Sequence, residues 1–326
     1  MTELAEILLE KPPHPFWTVL RQLGVEKAVG VLPRYHADWR ESRGEQPWEL
    51  VPLTLYRDQV AEAGLTLVAI EDNPPMDRLR LGLPGREEEL EAVCTLIRSM
   101  GSLGIPVWCY NWMPVLGWMR TRMALPSRGG ALVTEYDHAR MANAPLTYAG
   151  EVSAERLWTS LEWFLERVCP VAEEAGVTLA LHPDDPPLSP IRGIARIMSE
   201  VGSFERLIEV NDSPANQITL CQGNFTLMTD DLPGTIRRLG ERIAFAHFRD
   251  VRGTPERFEE TFHDDGPTDM LACMRAYRDI GFSGVLRSDH VPTIAGDSAE
   301  VAGYSHNARL HAIGYMAGLR EAVAAS

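Results

Sequence analysis

The sequence has no CxxC pair and no even set of cysteines. Five are scattered over 326 residues, at Cys94, Cys109, Cys169, Cys221 and Cys273. This argues against a disulfide framework and for a reducing compartment, the cytoplasm. Basic residues are also short, 31 Lys and Arg against 46 Asp and Glu, a net charge of −15. Proteins that bind phosphate backbones carry basic surfaces, so nucleic acid is not an expected partner. A local cluster of arginines can still hold a small anion. No apolar run approaches the ~20 residues of a membrane helix, so no membrane partner is expected either. Residues 1–11 lack the basic stretch and apolar core of a signal peptide. No internal repeat or low-complexity linker divides the chain, which reads as one domain over 1–326.

What is present is alternation. Hydrophobic residues make up 45% and charged residues 24%, as in a soluble globular protein. Short apolar runs at 25–32, 65–71, 105–110, 177–181, 218–220, 243–246 and 284–287 read as strands. Helical spacing is expected at 50–64, 86–101, 153–175, 191–201, 232–239, 268–280 and 307–323. Such alternation implies right-handed βαβ units, a parallel sheet and, at this length, a (β/α)₈ TIM barrel. The eighth strand belongs before Val25. That stretch is broken by Pro12, Pro13 and Pro15 and reads as irregular to helical, so the first strand is expected to be degenerate. A long excursion at about 112–152 should lie over the barrel mouth, as a lid or a subunit contact in a homo-oligomer.

The carboxyl ends of barrel strands carry the chemistry of such folds. Here His182, Cys221, His247 and Asp289 each close an apolar run. Taken singly, Cys221 is a small buried hydrophobe, Asp289 a cap or an ion pair, and His247 a structural histidine. Together, four ligand types at four successive strand ends point to one metal at the rim. A mixed N, S and O set suits Mn²⁺, Fe²⁺ or Zn²⁺. Asp184 and Asp185 are either partners that orient His182 or solvated loop residues. A second polar knot, His263, Asp264 and Asp265, follows His247.

The segments CYNWMPVLGWMRT (109–121), HPDDPP (182–187), LCQGN (220–224), HFRDV (247–251) and SDH (288–290), with Gly303-Tyr304 downstream, resemble the D-mannonate dehydratases. The resemblance runs from about Gly24 to the C-terminus and implies a barrel of the xylose-isomerase-like superfold. It implies Mn²⁺ or Fe²⁺ held by His182, Cys221, His247 and Asp289, and it places the family's tyrosine on Tyr304. The chain departs from the pattern at Val291-Pro292, where glycine is usual, and at Val301-Ala302, where Asp-Pro is. The implied reaction takes a small sugar acid, D-mannonate, to 2-keto-3-deoxy-D-gluconate by loss of a C2 proton and the C3 hydroxide. A metal would act as Lewis acid. Tyr304, His290 and Asp289 are candidates for the proton transfers. A tyrosine with its ordinary pKa of about 10 suits the role of donor. Arg120, Arg249 and Asn111 are candidates for binding substrate, the arginines through its carboxylate, though either arginine could equally be a structural salt-bridge residue. Competing readings are a sugar isomerase or epimerase of the same superfold and a non-catalytic homologue that binds metal or a sugar acid.

Overall fold

In the computed structural model, which describes residues 2–36, 44–298 and 301–325, Leu4 through Leu8 are all buried and form a strand. This is β1 (Glu3–Leu8), followed by β2 (Lys27–Gly30), β3 (Thr66–Glu71) and β4 (Val107–Asn111). An excursion then holds β5 (Arg122–Pro126) and β6 (Leu132–Asp137). The chain returns to the barrel with β7 (Thr178–His182), β8 (Asn216–Cys221) and β9 (Ile243–Phe248), adds a hairpin of β10 (Val251–Thr254) and β11 (Arg257–Glu260), and ends its strands with β12 (Val285–Ser288). The helices are α1 (Pro15–Gln22), α2 (Leu50–Glu62), α3 (Asp77–Leu81), α4 (Arg86–Ser102), α5 (Ala154–Ala175), α6 (Val201–Val210), α7 (Gln222–Thr226), α8 (Leu232–Leu239), α9 (Met270–Asp279) and α10 (His306–Ala324). No helix among the described residues is long and apolar enough to cross a membrane.

Eight strands close a parallel barrel in the order β1-β12-β9-β8-β7-β4-β3-β2. The first strand is therefore regular, and the expectation of a degenerate one is corrected: β1 pairs in parallel with both β2 and β12 and completes the ring. Its sequence, ELAEIL, is rich in helix formers, and a strand buried on both faces shows no alternation to betray it. Its buried acid faces the helix layer and is explained by α10. Glu6 is fully buried and accepts from Arg309 Nε at 3.1 Å and from Ser288 Oγ at 2.5 Å. Inside the barrel, Ala5, Ile7, Val29, Ala69, Ala180 and Phe245 pack into a layer beneath the rim.

Two further differences bear on the site. Residues 191–200 are not helical. Ile191 and Ile194 exchange backbone hydrogen bonds at 2.9 Å across Arg192 and Gly193, whose φ values are +47° and +84°. Two positive φ values in succession are the signature of a type I′ turn. Ile191, Ile194, Ala195 and Met198 are buried at spacings that imitate a helix face, but they cover the barrel as an irregular strap. The excursion, for its part, is structured. β5 and β6 join the β10–β11 hairpin in an antiparallel sheet, order β10-β11-β6-β5, with Tyr136, Ile191, Val251 and Phe258 as its own core.

Candidate active site

Parallel register sets the rim. Asn111 lies opposite His182, Cys221 opposite His247, Arg287 opposite His247, and Glu71 opposite Cys109. These strand ends surround a cavity of about 390 Å³ lined by Glu71, Asn111, His182, His247, Asp289 and Tyr304, among others.

Three of the four expected metal ligands converge. One donor atom each of His182, Cys221 and His247 lies within 4.8 Å of the others. His182 Nδ1 sits 2.7 Å from the carbonyl oxygen of Pro183. A carbonyl only accepts, so Nδ1 carries the proton and Nε2 keeps its lone pair for a ligand. Burial raises the Cys221 thiol, but Arg249 and the imidazoles of His182 and His247 outweigh it and bring the group down to about 6. His247 is 1% exposed; its Nε2 lies 3.2 Å from Glu71 Oε2, but its Nδ1 makes no hydrogen bond. Buried polar atoms are rarely left so, and an absent partner is the usual explanation. The thiolate, the free Nε2 of His182 and the orphaned Nδ1 of His247 together fit a divalent transition metal. Asp289 stands at the edge of this group. Its Oδ2 lies 3.6 Å from His247 Nδ1 and 3.7 Å from Cys221 Sγ, but also accepts from Arg249 Nε at 2.6 Å.

The groups expected to move protons are adjacent. Tyr304 donates its hydroxyl to Asp289 Oδ1 at 3.0 Å. Burial and the Asp289 charge push its pKa well above 10, so it keeps its proton. Gly303, at φ +88°, turns the chain here and accepts from Val291 N at 2.8 Å. His290 places Nδ1 3.0 Å from Glu260 Oε1. Its Nε2 lies 3.9 Å from Asp289 Oδ1.

The two arginines are not where a substrate carboxylate would meet them. Arg249 is 1% exposed and spends all three nitrogens on protein. Nε goes to Asp289, Nη1 to Glu260 at 2.9 Å, and Nη2 to Asp185 at 2.9 Å and Asn224 at 3.0 Å. The Arg120 side chain is fully buried and bridges Asp185 and Glu260. Of the two readings of these arginines, the contacts are those of structural salt bridges: they neutralise a buried cluster of carboxylates. Neither Asp184 nor Asp185 orients His182. Asp185 serves the arginines, held well below the usual carboxylate range by them despite its burial. Asp184 accepts from Met198 N at 2.8 Å. Asn111 has its side-chain oxygen occupied by Arg80 and by Met113 N, which leaves the amide nitrogen as the group free for a ligand. The second polar knot stays out of the cavity wall. Burial pushes His263 down to about 4, and Asp264 pairs with Arg128 at 3.0 Å.

Three residues that belong here were not read from the sequence. Glu71 closes the 65–71 run, so the strand-end argument applied there would have found it. Arg287, on β12, binds Glu71 through two nitrogens at 2.7 and 2.6 Å. Glu260 gave no signal, because it sits in the hairpin beside the barrel. The excursion contributes Met113 and Trp118 to the cavity wall. It is pinned by Arg120 and by Arg196, whose Nη2 donates to the carbonyls of Leu116 and Gly117 at 3.0 Å. A lid opening as one unit would have to break those bonds.

Comparison with known proteins places this architecture. The D-mannonate dehydratase family model matches residues 18–149 and 144–326. The chain is 36% identical to a mannonate dehydratase of Thermotoga neapolitana over 342 aligned positions, covering 93% of this chain and 92% of that one. It is 34% identical to the mannonate dehydratase of Enterococcus faecalis, covering 85% and 87%. The crystal structure of mannonate dehydratase from Streptococcus suis serotype 2 superposes with a TM-score of 0.89 at 32% identity, covering 99% of this chain and 93% of that one. A D-psicose 3-epimerase from Clostridium cellulolyticum H10, at 14% identity and a TM-score of 0.62, shares the barrel fold alone.

Proposed function

The chain belongs to the D-mannonate dehydratase family, and from that premise we propose that it is a hydro-lyase taking D-mannonate to 2-keto-3-deoxy-D-gluconate and water. The observation that carries the reading is the convergence of His182, Cys221 and His247 at the carboxyl rim, with Asp289 beside them. These four residues would hold Mn²⁺ or Fe²⁺, with Asp289 shared between the ion and Arg249. When bound, the ion supplies Lewis acidity that makes the C2 proton easier to remove and offsets the substrate's negative charge. That second role matters because no Lys or Arg is among the described residues lining the cavity, while Glu71, Asp72, Asp185 and Asp289 are.

The protein groups divide the proton work by environment. Tyr304, held protonated, is assigned to the C3 hydroxyl: it donates as the C3–O bond breaks, and water leaves. His290, with Glu260 on Nδ1, is assigned to accept the C2 proton at Nε2. The resulting enol becomes the 2-keto acid by taking a proton at C3. The Asn111 amide nitrogen is assigned to a substrate hydroxyl or carboxylate oxygen. Arg120 and Arg249 keep Asp185, Glu260 and Asp289 ionised and in place. The five cysteines are free and buried, which suits a reducing, cytoplasmic setting.

The test is a panel of aldonic acids incubated with Mn²⁺-loaded protein, with 2-keto-3-deoxy acids as the readout. D-mannonate should be dehydrated, and a His247→Ala variant should lose the activity. Conversion of a substrate to an isomer without loss of water would replace this reading with an epimerase. Turnover by His247→Ala equal to wild type would remove the metal site from it.

A further inference from the structure

We propose that Glu71 is the positioning residue of the metal site: it takes the Nε2 proton of His247 and so leaves Nδ1 as the ligating atom. This rests on the metal reading above and adds the orientation of one ligand to it.

His247 lies between two carboxylates. Glu71 Oε2 is 3.2 Å from Nε2, and Asp289 Oδ2 is 3.6 Å from Nδ1. The remaining donors decide which side the ion takes. Cys221 Sγ is 3.7 Å from the same Asp289 oxygen that approaches Nδ1, so thiolate, carboxylate and Nδ1 share one side of the ring. Glu71 approaches the other nitrogen, with Cys109 beside it, and it cannot swing round. Both its oxygens are gripped by Arg287, at 2.7 and 2.6 Å, and Arg287 is fully buried. A carboxylate so fixed on the far nitrogen of a metal-bound histidine sets the tautomer and the plane of the ring.

The geometry offers a rival. Glu71, Cys109 and His247 also bring donor atoms within 4.8 Å, so Glu71 itself is a conceivable ligand of a deeper ion. Arg287 argues against it, because a second cation there would face a guanidinium already seated on both Glu71 oxygens. Cys109 argues against it as well. It is buried in the barrel layer, and its sulfur lies 3.2 Å from Thr219 Oγ1, whose own proton goes to the Ala180 carbonyl at 2.9 Å, so the sulfur is placed to donate as a thiol.

The experiment compares wild type with Glu71→Gln by Mn²⁺ titration against a competing chelator. It adds ¹⁵N-histidine NMR of the Zn²⁺-loaded wild-type chain, which needs no variant. The expected result is one ion per chain in both proteins, held ~10–100-fold more weakly in Glu71→Gln, the usual scale for losing such a partner. His247 should show a protonated Nε2 and a metal-bound Nδ1. Ligation through Nε2 would overturn the proposal, as would an affinity in Glu71→Gln within twofold of wild type. Two ions in wild type and one in Glu71→Gln would make Glu71 a ligand and overturn it too. A wild-type chain that binds no ion would sink the metal reading itself, a result distinct from an ion bound but indifferent to Glu71.

Discussion

Arg249→Met is the perturbation that asks most of the buried charge cluster. Arg249 is 1% exposed and donates to Asp185, Glu260, Asp289 and Asn224. Methionine keeps most of the volume and removes the charge. Removing one partner from a buried ion pair costs ~3–5 kcal/mol, because the other charge is left without compensation. Here Arg120 still serves Asp185 and Glu260, and Arg287 still lies 3.1 Å from Asp289, so the lower part of that range applies, ~3–4 kcal/mol. At ~2.1 cal/mol/K per residue, a chain of 326 residues has an unfolding entropy of ~0.7 kcal/mol/K, so Tm should fall by ~4–6 °C. Calorimetry of the metal-free proteins at pH 7 reads this directly. The control is Arg237→Met, whose 2.8 Å pair with Asp279 is 44% and 37% exposed and so contributes little. Its Tm should move by no more than ~1–2 °C. Equal shifts for the two variants would refute the view that Arg249 neutralises a buried cluster.

Two further outcomes follow from the same geometry. Burial opposes the charge on Glu260, but Arg249 and Arg120 hold its carboxyl down to about 2, and Asp185 is held low in the same way. A depressed carboxylate stabilises the fold above its unfolded pKa, ~4.3 for glutamate, and that contribution is lost as pH falls through the folded value. Stability of the wild type, followed by urea titration, should therefore decline between about pH 5 and about pH 2, and the decline should be shallower in Arg249→Met. Tyr304→Phe removes only the hydroxyl that donates to Asp289. Metal content should stay at the wild-type level while kcat on D-mannonate falls by ~10²-fold or more; full turnover would leave the proton donation to His290.

The barrel was legible because seven of its strands are continuous apolar runs between helices with clear periodicity, and Val177–Leu181 or Ile243–Ala246 can hardly be anything else. β1 was not, because Glu3, Leu4, Ala5 and Glu6 have the local preferences of a helix, and only the pairing with β2 and β12 makes them a strand. The 191–200 strap misled for a related reason: burial at Ile191, Ile194 and Met198 imitates helical spacing, while Arg192 and Gly193 adopt a tight turn. In the site, ligand-type residues at strand ends could be named from their position in the chain. What could not be read was which charges meet each other. Arg249 follows His247 by two residues and looks available for a substrate, but its partners come from as far as Asp185 and Asp289. Glu260 reaches His290 only because β11 folds back beside the barrel. Long-range charge pairing of this kind leaves no local pattern.

The most direct test of the account is to locate the ion. Crystals of the wild-type chain grown with Mn²⁺ and measured at the manganese absorption edge should show one anomalous peak per chain. It should lie within bonding distance of His182 Nε2, Cys221 Sγ and His247 Nδ1, with Asp289 completing the set. A peak bonded instead to Glu71 and Cys109, or no peak at the barrel mouth at all, would contradict the assignment of the site.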